Sequence, residues 1–233
     1  MPKKNIFPIM FGLIGVTVLL SLAVWQMQRL EWKQDIISKI EERLSGEPLS
    51  LINNYKLSLP STHNYLRVYL DGNIKNNEAH IYAPQKNGLG YRVVSEFEWN
   101  DVSILVDLGW IPEDQKNEIR PTGKAKVIGY ISYPDDHDDS FTPKPDIVNN
   151  IWFSRFVPIM ARELNVEPFL VVAEEVQIKE NGNWKNYEEV TPLPISLNIQ
   201  NDHKEYAITW FSLALVWFLM TIYLLWRIKQ KTV

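Results

Sequence analysis

The stretch AITWFSLALVWFLMTIYLLW, residues 207–226, decides the architecture, because its 20 residues carry no charge. A helix of that length is about 30 Å long and matches the hydrocarbon core of a bilayer, so the stretch predicts a transmembrane helix. His203 lies four residues before it, about one helical turn above the hydrocarbon edge. If the helix extends back through His203, Trp210 follows seven residues later on the same face. The sequence therefore predicts a titratable ligand and a flat aromatic ring on one stripe at the membrane surface.

A second uncharged run of 20 residues, 6–25, predicts another transmembrane helix. The segments outside the two runs, residues 1–5 and 227–233, carry five lysines and arginines and no acidic residue. Residues 26–206 carry the other 19 basic residues against 28 acidic ones, a net charge of −9. Because basic flanks stay on the cytoplasmic side of a membrane, both tails are predicted to be cytoplasmic and residues 26–206 to form an exported domain.

The N-terminal run also has features of a cleaved signal sequence, since Lys3 and Lys4 precede it. Its 20 apolar residues exceed the usual signal-peptide core and no small-x-small cleavage motif follows, so an uncleaved anchor is predicted. No Arg- and Ser-rich presequence precedes it, and the expected location is a bacterial inner membrane with a periplasmic domain. The chain has no cysteine, which excludes disulfides, thiol redox chemistry and cysteine-ligated metals.

Between the membrane runs, the sequence predicts an α+β domain rich in antiparallel strands. Helical spacing continues over residues 26–44, and the periodicity then changes to two. Asn100 and Asp101 predict a hairpin turn, and the polar, proline-containing segments 134–149 and 181–197 predict mobile or docked loops. The predicted strands are residues 65–71, 91–99, 102–108, 125–133 and 169–176, and a short helix is predicted over residues 155–165.

Motifs of common enzymes are absent: there is no GxSxG, HExxH, P-loop or GxGxxG, and the chain is predicted not to be an enzyme. The acidic run 135–139 has the carboxylates that a hard cation prefers, but it lacks the alternating spacing of a calcium loop and is interpreted as a solvated turn. His63 and His80 are interpreted as ordinary surface or strand residues. The four histidines are far apart in sequence: His63, His80, His137 and His203.

Aromatic and basic residues cluster where the first helix leaves the membrane. Trp25, Arg29 and Trp32 fall on one helical face, at the depth where His203 enters the second helix. The interfacial aromatic belt accounts for Trp25, but less well for Trp210, which lies inside the apolar run. Two interpretations of Arg29 stay open from the spacing: it snorkels to lipid phosphates, or it pairs with a carboxylate of a bound ligand.

Four blocks of sequence, in order along nearly the whole chain, resemble the surfeit locus protein 1 family of cytochrome c oxidase assembly factors. The chain departs from the family pattern at Asp107-Leu108, where the family usually has Asn-Arg, so a role for that arginine is not transferred. It also has Asp202 and Lys204 around His203 in place of asparagine and leucine, and an acid there favours the imidazolium or orients the ring. The matching blocks are WQxxRxxWK at 25–33, GY at 90–91 with LVDLGWIP at 105–112, NIWF at 150–153 with MA at 160–161 and PF at 168–169, and NxHxxYAxTWF at 201–211.

The resemblance implies a non-catalytic membrane chaperone that helps to insert heme a into oxidase subunit I. It implies that His203 is the axial ligand of the heme iron and that Trp210 assists. Physically, the ring would lie against Trp210, the propionates near Arg29 or Lys204, and the isoprenoid tail in lipid, with Trp25 in the same binding site. The implied partners are subunit I, heme a synthase and membrane lipid, and no nucleic acid is expected.

Two other classes of function stay open. A scaffold that stabilises an oxidase assembly intermediate through its exported domain would make heme binding incidental. A ligand-sensing exported domain that signals inward is disfavoured, because tails of five and seven residues leave no cytoplasmic output domain.

Overall fold

The computed structural model describes residues 6–50, 63–86, 88–134, 136–193, 195 and 201–230. The chain forms two compact units, one from residues 1–39 with 197–233 and one from residues 40–196. The helices are α1 (Ile6–Ser45), α2 (Val157–Leu164) and α3 (His203–Gln230). The strands are β1 (Leu49–Ser50), β2 (Arg67–Tyr82), β3 (Gly90–Trp99), β4 (Val102–Pro112), β5 (Gly123–Ser132), β6 (Leu170–Glu180) and β7 (Asn183–Asn186), with a 3₁₀ turn at Glu113–Gln115.

Both terminal helices, α1 and α3, are long and apolar enough to cross a membrane, as the two uncharged runs predict. Helix α1 continues beyond its apolar part to Ser45, in agreement with the helical spacing of residues 26–44. Helix α3 begins at His203, so the helix does extend back through this residue. His203 and Trp210 therefore share one face of α3, about two turns apart.

Small residues let α1 and α3 approach closely. A Cβ atom added to Gly12 would overlap the side chain of Thr221, and one added to Gly15 would overlap the indole of Trp217. These two pairs show that the helices run antiparallel. Small residues at a seam are a common way for membrane helices to pack, because lipid offers no hydrophobic driving force between them. The alanines buried in this unit are Ala23, Ala207 and Ala214.

The second unit is built around a closed five-stranded barrel. Strand β2 pairs antiparallel with both β3 and β5. Strand β4 pairs antiparallel with β3 and parallel with β6, and β6 pairs antiparallel with β5. Every strand of the barrel thus has a partner on both sides, which leaves none of the five as an open edge. The α+β class with a mainly antiparallel sheet is confirmed, and β1–β2 and β4–β6 are its parallel pairs.

Two apolar clusters form the core of this unit. Ile104, Val106 and Leu108 of β4 belong to the larger cluster. Leu105 between them belongs to the cluster under α2, because successive side chains of a strand point to opposite faces. Helix α2 presents to that cluster a stripe with helical spacing and is capped after Leu164 by Asn165, which adopts the left-handed conformation. The stripe consists of Val157, Met160, Ala161 and Leu164.

Two segments differ from the sequence-based boundaries. The sequence predicts a strand over residues 65–71, whereas β2 extends to Tyr82. In its second half, Asn76 and Asn77 disfavour a strand locally, and the pairing of Glu78 to Tyr82 with β3 after a register shift overrides that preference. The sequence predicts only loop over residues 181–197, which was wrong for β7. Asn181 and Gly182 have φ of 50° and 86°, as in an Asn-Gly hairpin turn, a signal that the prediction overlooked.

The other predicted elements agree with the structure. Asn100 and Asp101 have φ of 49° and 64°, as a hairpin turn of type I′ requires. The four later predicted strands correspond to β3, β4, β5 and β6, and the predicted helix over residues 155–165 corresponds to α2.

Candidate functional site

The membrane-edge histidine is tied to the first helix. Nδ1 of His203 lies 2.7 Å from Oε1 of Gln26, which is only 8% exposed. The hydrogen bond joins residues that are 177 positions apart, across the α1–α3 contact. Gln26 is not among the predicted site residues, although it falls inside the predicted 25–33 block. One signal could have indicated Gln26: it is a polar amide on the face of α1 that carries the buried Ala23.

Gln26 defines the tautomer of the imidazole. With Oε1 of Gln26 as the acceptor, Nδ1 of His203 carries the proton and donates it. The uncharged ring then has its lone pair on Nε2. Metal-binding histidines typically donate their other ring N–H to a carbonyl or carboxylate, which fixes the ring and raises its basicity. The donor set therefore fits one axial bond from Nε2 to a heme iron.

The remaining predicted site residues lie on the same pair of helices. Trp210 is half-buried, two turns from His203. Trp25 is 49% exposed, and Arg29 is exposed as well. The Arg29 guanidinium carbon lies 4.6 Å from the ring centre of Trp32, so a cation–π contact orients this cation along α1. The structure thus brings together the aromatic and cationic residues that the spacing predicts on one helical face.

The charged neighbours of His203 occupy positions at the start of α3. Asp202 precedes the first helical residue, and its carbonyl accepts a hydrogen bond from the backbone N–H of Tyr206 at 3.2 Å. An acidic residue at a helix N-terminus is favoured by the helix dipole. Asp202 and Lys204 are both exposed, whereas His203 is half-buried. Their side chains therefore do not displace the contact between His203 and Gln26.

A family model of the SURF1 family matches residues 13–215, most of the chain. The chain belongs to the SURF1 family. Proteins of this family are known as cytochrome c oxidase assembly factors. The SURF1 match spans both units and reaches into the apolar parts of α1 and α3, so the resemblance seen in the four sequence blocks is confirmed.

Individual SURF1 relatives cover most of the chain. A SURF1-like protein of Rickettsia felis is 31% identical over 227 residues, which is 92% of this chain and 94% of that protein. A SURF1-like protein of Dictyostelium discoideum is 23% identical, over 91% of this chain and 93% of its own length. Surfeit locus protein 1 of Xenopus tropicalis is 27% identical, over 83% of this chain and 67% of that protein.

Asp107, where this SURF1-family chain departs from the family pattern, forms a buried ion pair. Its side chain is fully buried, and its Oδ2 accepts a hydrogen bond from Nε of Arg92 at 2.6 Å. Arg92 also donates from Nη2 to the carbonyl of Leu193 at 3.2 Å. Burial raises the pKa of Asp107, and the nearby Arg92 guanidinium opposes that rise. The pair links the neighbouring strands β3 and β4, and Arg92 joins them to the segment at Leu193.

His80 belongs to a second buried network, around Glu78. Nε2 of His80 lies 2.8 Å from Oε1 of Glu78, and Nε of Arg120 donates to the other oxygen, Oε2, at 3.1 Å. Arg120 is 7% exposed and His80 is 5% exposed. Burial alone would raise the pKa of Glu78, but hydrogen bonds and charge from His80 and Arg120 outweigh it and lower the pKa to about 2. His80 is thus a strand residue, as interpreted from the sequence, although a buried one.

The acidic run of residues 135–139 is described from Asp136 onward. Nε of Arg155 donates to Oδ2 of Asp136 at 2.8 Å, and the His137 ring stacks on Phe156 at 4.3 Å. Oδ1 of Asp138 accepts a backbone N–H from within the same turn. Among the described residues, no three His, Cys, Asp or Glu side chains are grouped so as to hold a metal ion. The described part of the run is therefore engaged in local contacts.

Proposed function

We propose that this SURF1-family protein is a membrane-bound assembly factor for cytochrome c oxidase that binds heme a and aids its insertion into subunit I. The hydrogen bond between His203 and Gln26 supports this proposal most strongly, because it leaves a lone pair on Nε2 at the end of an apolar helix pair. Family membership supports the role in oxidase assembly. Heme a is the cargo, and the chain has no catalytic role in this proposal.

Each residue of the site has a distinct task. Nε2 of His203 would hold the heme through its lone pair, with the iron supplying the coordination bond. Trp210 provides a flat apolar surface for the macrocycle, and Trp25 extends that surface from α1. Arg29 offers a guanidinium fork suited to a propionate. A single axial bond in a half-exposed site gives moderate affinity, which a carrier requires because its cargo has to leave.

The proposed setting is a bacterial inner membrane with both termini in the cytoplasm and the barrel unit in the periplasm. The two membrane-length helices and the basic tails support this orientation. The proposed partners are subunit I as acceptor, heme a synthase as donor, and membrane lipid. In this proposal the protein carries heme a from the synthase to subunit I. Its task is therefore to bind the heme and release it.

The spectrum of the purified protein tests the proposal. Purified in detergent from cells that make heme a, the full chain is expected to carry heme. Loss of a residue that only supports a metal ligand costs about 10–100-fold in affinity. His203→Ala removes the ligand itself and is expected to reduce the heme content by more than that. His137→Ala, which removes a histidine of the barrel unit, is the matched control and should leave the spectrum unchanged. A His203→Ala variant with normal heme content and spectrum would contradict the proposal.

Gln26 is expected to act as a positioning residue for His203. Gln26→Leu removes the acceptor for the Nδ1 proton, and heme affinity should fall about 10–100-fold with an altered absorption spectrum. Gln26→Glu keeps an acceptor at the same place and should restore binding. Gln28→Leu changes the same residue type on an exposed part of α1 and serves as the control. If Gln26→Glu loses heme to the same extent as Gln26→Leu, Gln26 acts only through helix packing.

A scaffold function is the second candidate, and one observation favours it. Among the described residues of the barrel unit, three large apolar side chains are almost completely exposed: Ile119 at 93%, Phe141 at 86% and Val148 at 94%. A contact with a partner protein would bury such side chains where they form one contiguous patch. Expressing residues 40–196 without the terminal helices in a deletion strain would separate the two functions. Rescue of oxidase assembly by that fragment would favour the scaffold over the heme carrier.

A further inference from the structure

An apolar groove lies between α1 and α3, on one side of the helix pair. Its volume is about 470 Å³. A groove of this size and composition accommodates a flexible hydrocarbon chain rather than a polar ligand. The side chains that form its walls are Phe11, Ile14 and Val18 of α1 and Leu213, Val216 and Met220 of α3.

Gly15 and Trp217 form the floor of the groove. The absence of a side chain at Gly15 makes room for the Trp217 indole, since a Cβ atom there would overlap the ring. The indole lies 5.3 Å from the ring of Phe11. Within the described part of the chain, the buried Nε1 of Trp217 has no hydrogen-bond partner.

Helical periodicity aligns the groove with the proposed heme site. Trp25 follows Val18 by seven residues and Arg29 follows it by eleven, and both separations return to within about 20° of the same direction on a helix. On α3, Trp210 precedes Trp217 by seven residues. The groove and the proposed heme-binding residues therefore occupy one side of the same helix pair.

An extended isoprenoid tail is long enough to reach the groove from the proposed heme site. Leu213 lies ten residues from His203 and Met220 lies seventeen, which places the groove from about 15 Å to about 25 Å along the helix axis. The extended tail of heme a is on the order of 15 Å long, at roughly 1.2 Å per chain bond. A tail that begins at the ring edge, a few ångströms below the iron, would end inside the groove.

We infer that this groove binds the isoprenoid tail of heme a. The inference rests on the proposed function, and it adds a specificity that iron ligation cannot provide. His203 offers the same bond to any heme iron, whereas the groove gains apolar contact only from a heme that carries the tail. The chain would therefore select tailed hemes over heme b, which has no tail.

Groove-filling variants of the full chain in lipid nanodiscs test the inference with two probes. Heme o carries the tail and heme b does not. Val18→Trp is expected to weaken heme o binding about tenfold and to leave heme b within about twofold, because only the tail is displaced. Val24→Trp is the matched control, since Val24 is 49% exposed against 52% for Val18 and does not line the groove. Leu213→Trp should repeat the effect on α3, with Leu219→Trp as its control.

The outcomes separate this inference from the proposed function. Equal affinity of the wild type for heme o and heme b, with both dependent on His203, would keep the proposed function and overturn the groove assignment in favour of a lipid acyl chain. Equal losses of both hemes in Val18→Trp and Leu213→Trp would also overturn it, because the groove would then act through helix packing. Failure of the wild type to bind either heme would overturn the proposed function itself.

Discussion

Arg92→Met is expected to lower the free energy of unfolding of the barrel unit by about 3–5 kcal/mol. The side chain of Asp107 is fully buried, and Nε of Arg92 lies 2.6 Å from its Oδ2. Methionine fills a similar space but removes the hydrogen-bonded counter-charge, so a carboxylate would be buried without it. Removing one partner of a buried ion pair costs more than the intact pair contributes, because the desolvated charge stays behind.

The loss is expected to shrink in acid. Burial raises the pKa of Asp107 in the folded chain, and removal of Arg92 raises it further. With a raised pKa, Asp107 binds a proton more readily in the folded chain than in the unfolded chain. Its contribution to stability is therefore greatest below the unfolded pKa, and it is lost as pH rises through the folded pKa. Urea unfolding of the full chain in detergent micelles, followed by the circular dichroism of the sheet at about pH 7 and about pH 4, measures both effects.

The control for the Arg92 prediction is the double variant Arg92→Met with Asp107→Asn. It contains neither charge, and most of the lost stability is expected to return. Asp107→Asn alone is expected to cost less than Arg92→Met, because the asparagine oxygen still accepts from Arg92, whose side chain is 16% exposed and also donates to Leu193. If the double variant is as unstable as Arg92→Met, the cause is the lost packing of the arginine stem.

Glu78→Gln is expected to destabilise the barrel unit by about 3 kcal/mol near neutral pH. The folded pKa of Glu78 is about 2, against an ordinary value of 4.5, and each unit of difference corresponds to about 1.36 kcal/mol. The glutamine is uncharged, so it leaves Arg120 and His80 buried without their shared carboxylate. The expected loss is therefore of the same kind as for Arg92→Met.

The pH dependence of this network has the opposite sign to that of Asp107. The lowered pKa means that the stabilisation by Glu78 is fully present above about pH 4.5 and is lost as pH falls towards about 2. Urea unfolding as a function of pH should show this loss in the wild type and a flatter profile in Glu78→Gln. Glu98→Gln is the control, because Glu98 pairs with Lys75 at the surface and its removal should change stability little. A wild-type profile that is flat between about pH 4.5 and about pH 2 would rule out the role assigned to Glu78.

The predictable parts of the fold are those set by local periodicity. Uncharged runs of 20 residues predict α1 and α3, and the i, i+3, i+4, i+7 stripe from Val157 to Leu164 predicts α2. The second half of β2 was not predictable in this way, because it becomes strand only through its long-range pairing with β3, which resumes at Glu78 after a register shift. The parallel pairing of β4 with β6 is also long-range, since Leu105 pairs with Leu170.

In the candidate site, too, only the features set by local periodicity were predictable. The stripe of His203 and Trp210 follows from helical spacing alone and is confirmed by the start of α3. The partner of His203 did not follow from it, because Gln26 depends on the register of α1 against α3. That register is set by contacts such as Gly12 with Thr221, which no pattern within a single helix specifies. The buried ion pairs, Arg92 with Asp107 and Arg120 with Glu78, were not predictable either, because each depends on how separate segments pack together.

The 177 residues that separate Gln26 from His203 impose an order of events during biosynthesis. The first helix and the barrel emerge from the ribosome before the C-terminal helix, so a nascent chain has the acceptor but not the imidazole. The pair can form only after α3 has entered the bilayer. The contact between Gln26 and His203 therefore requires both membrane helices, and under the proposed function a chain would take up cargo only once α1 and α3 are both in place.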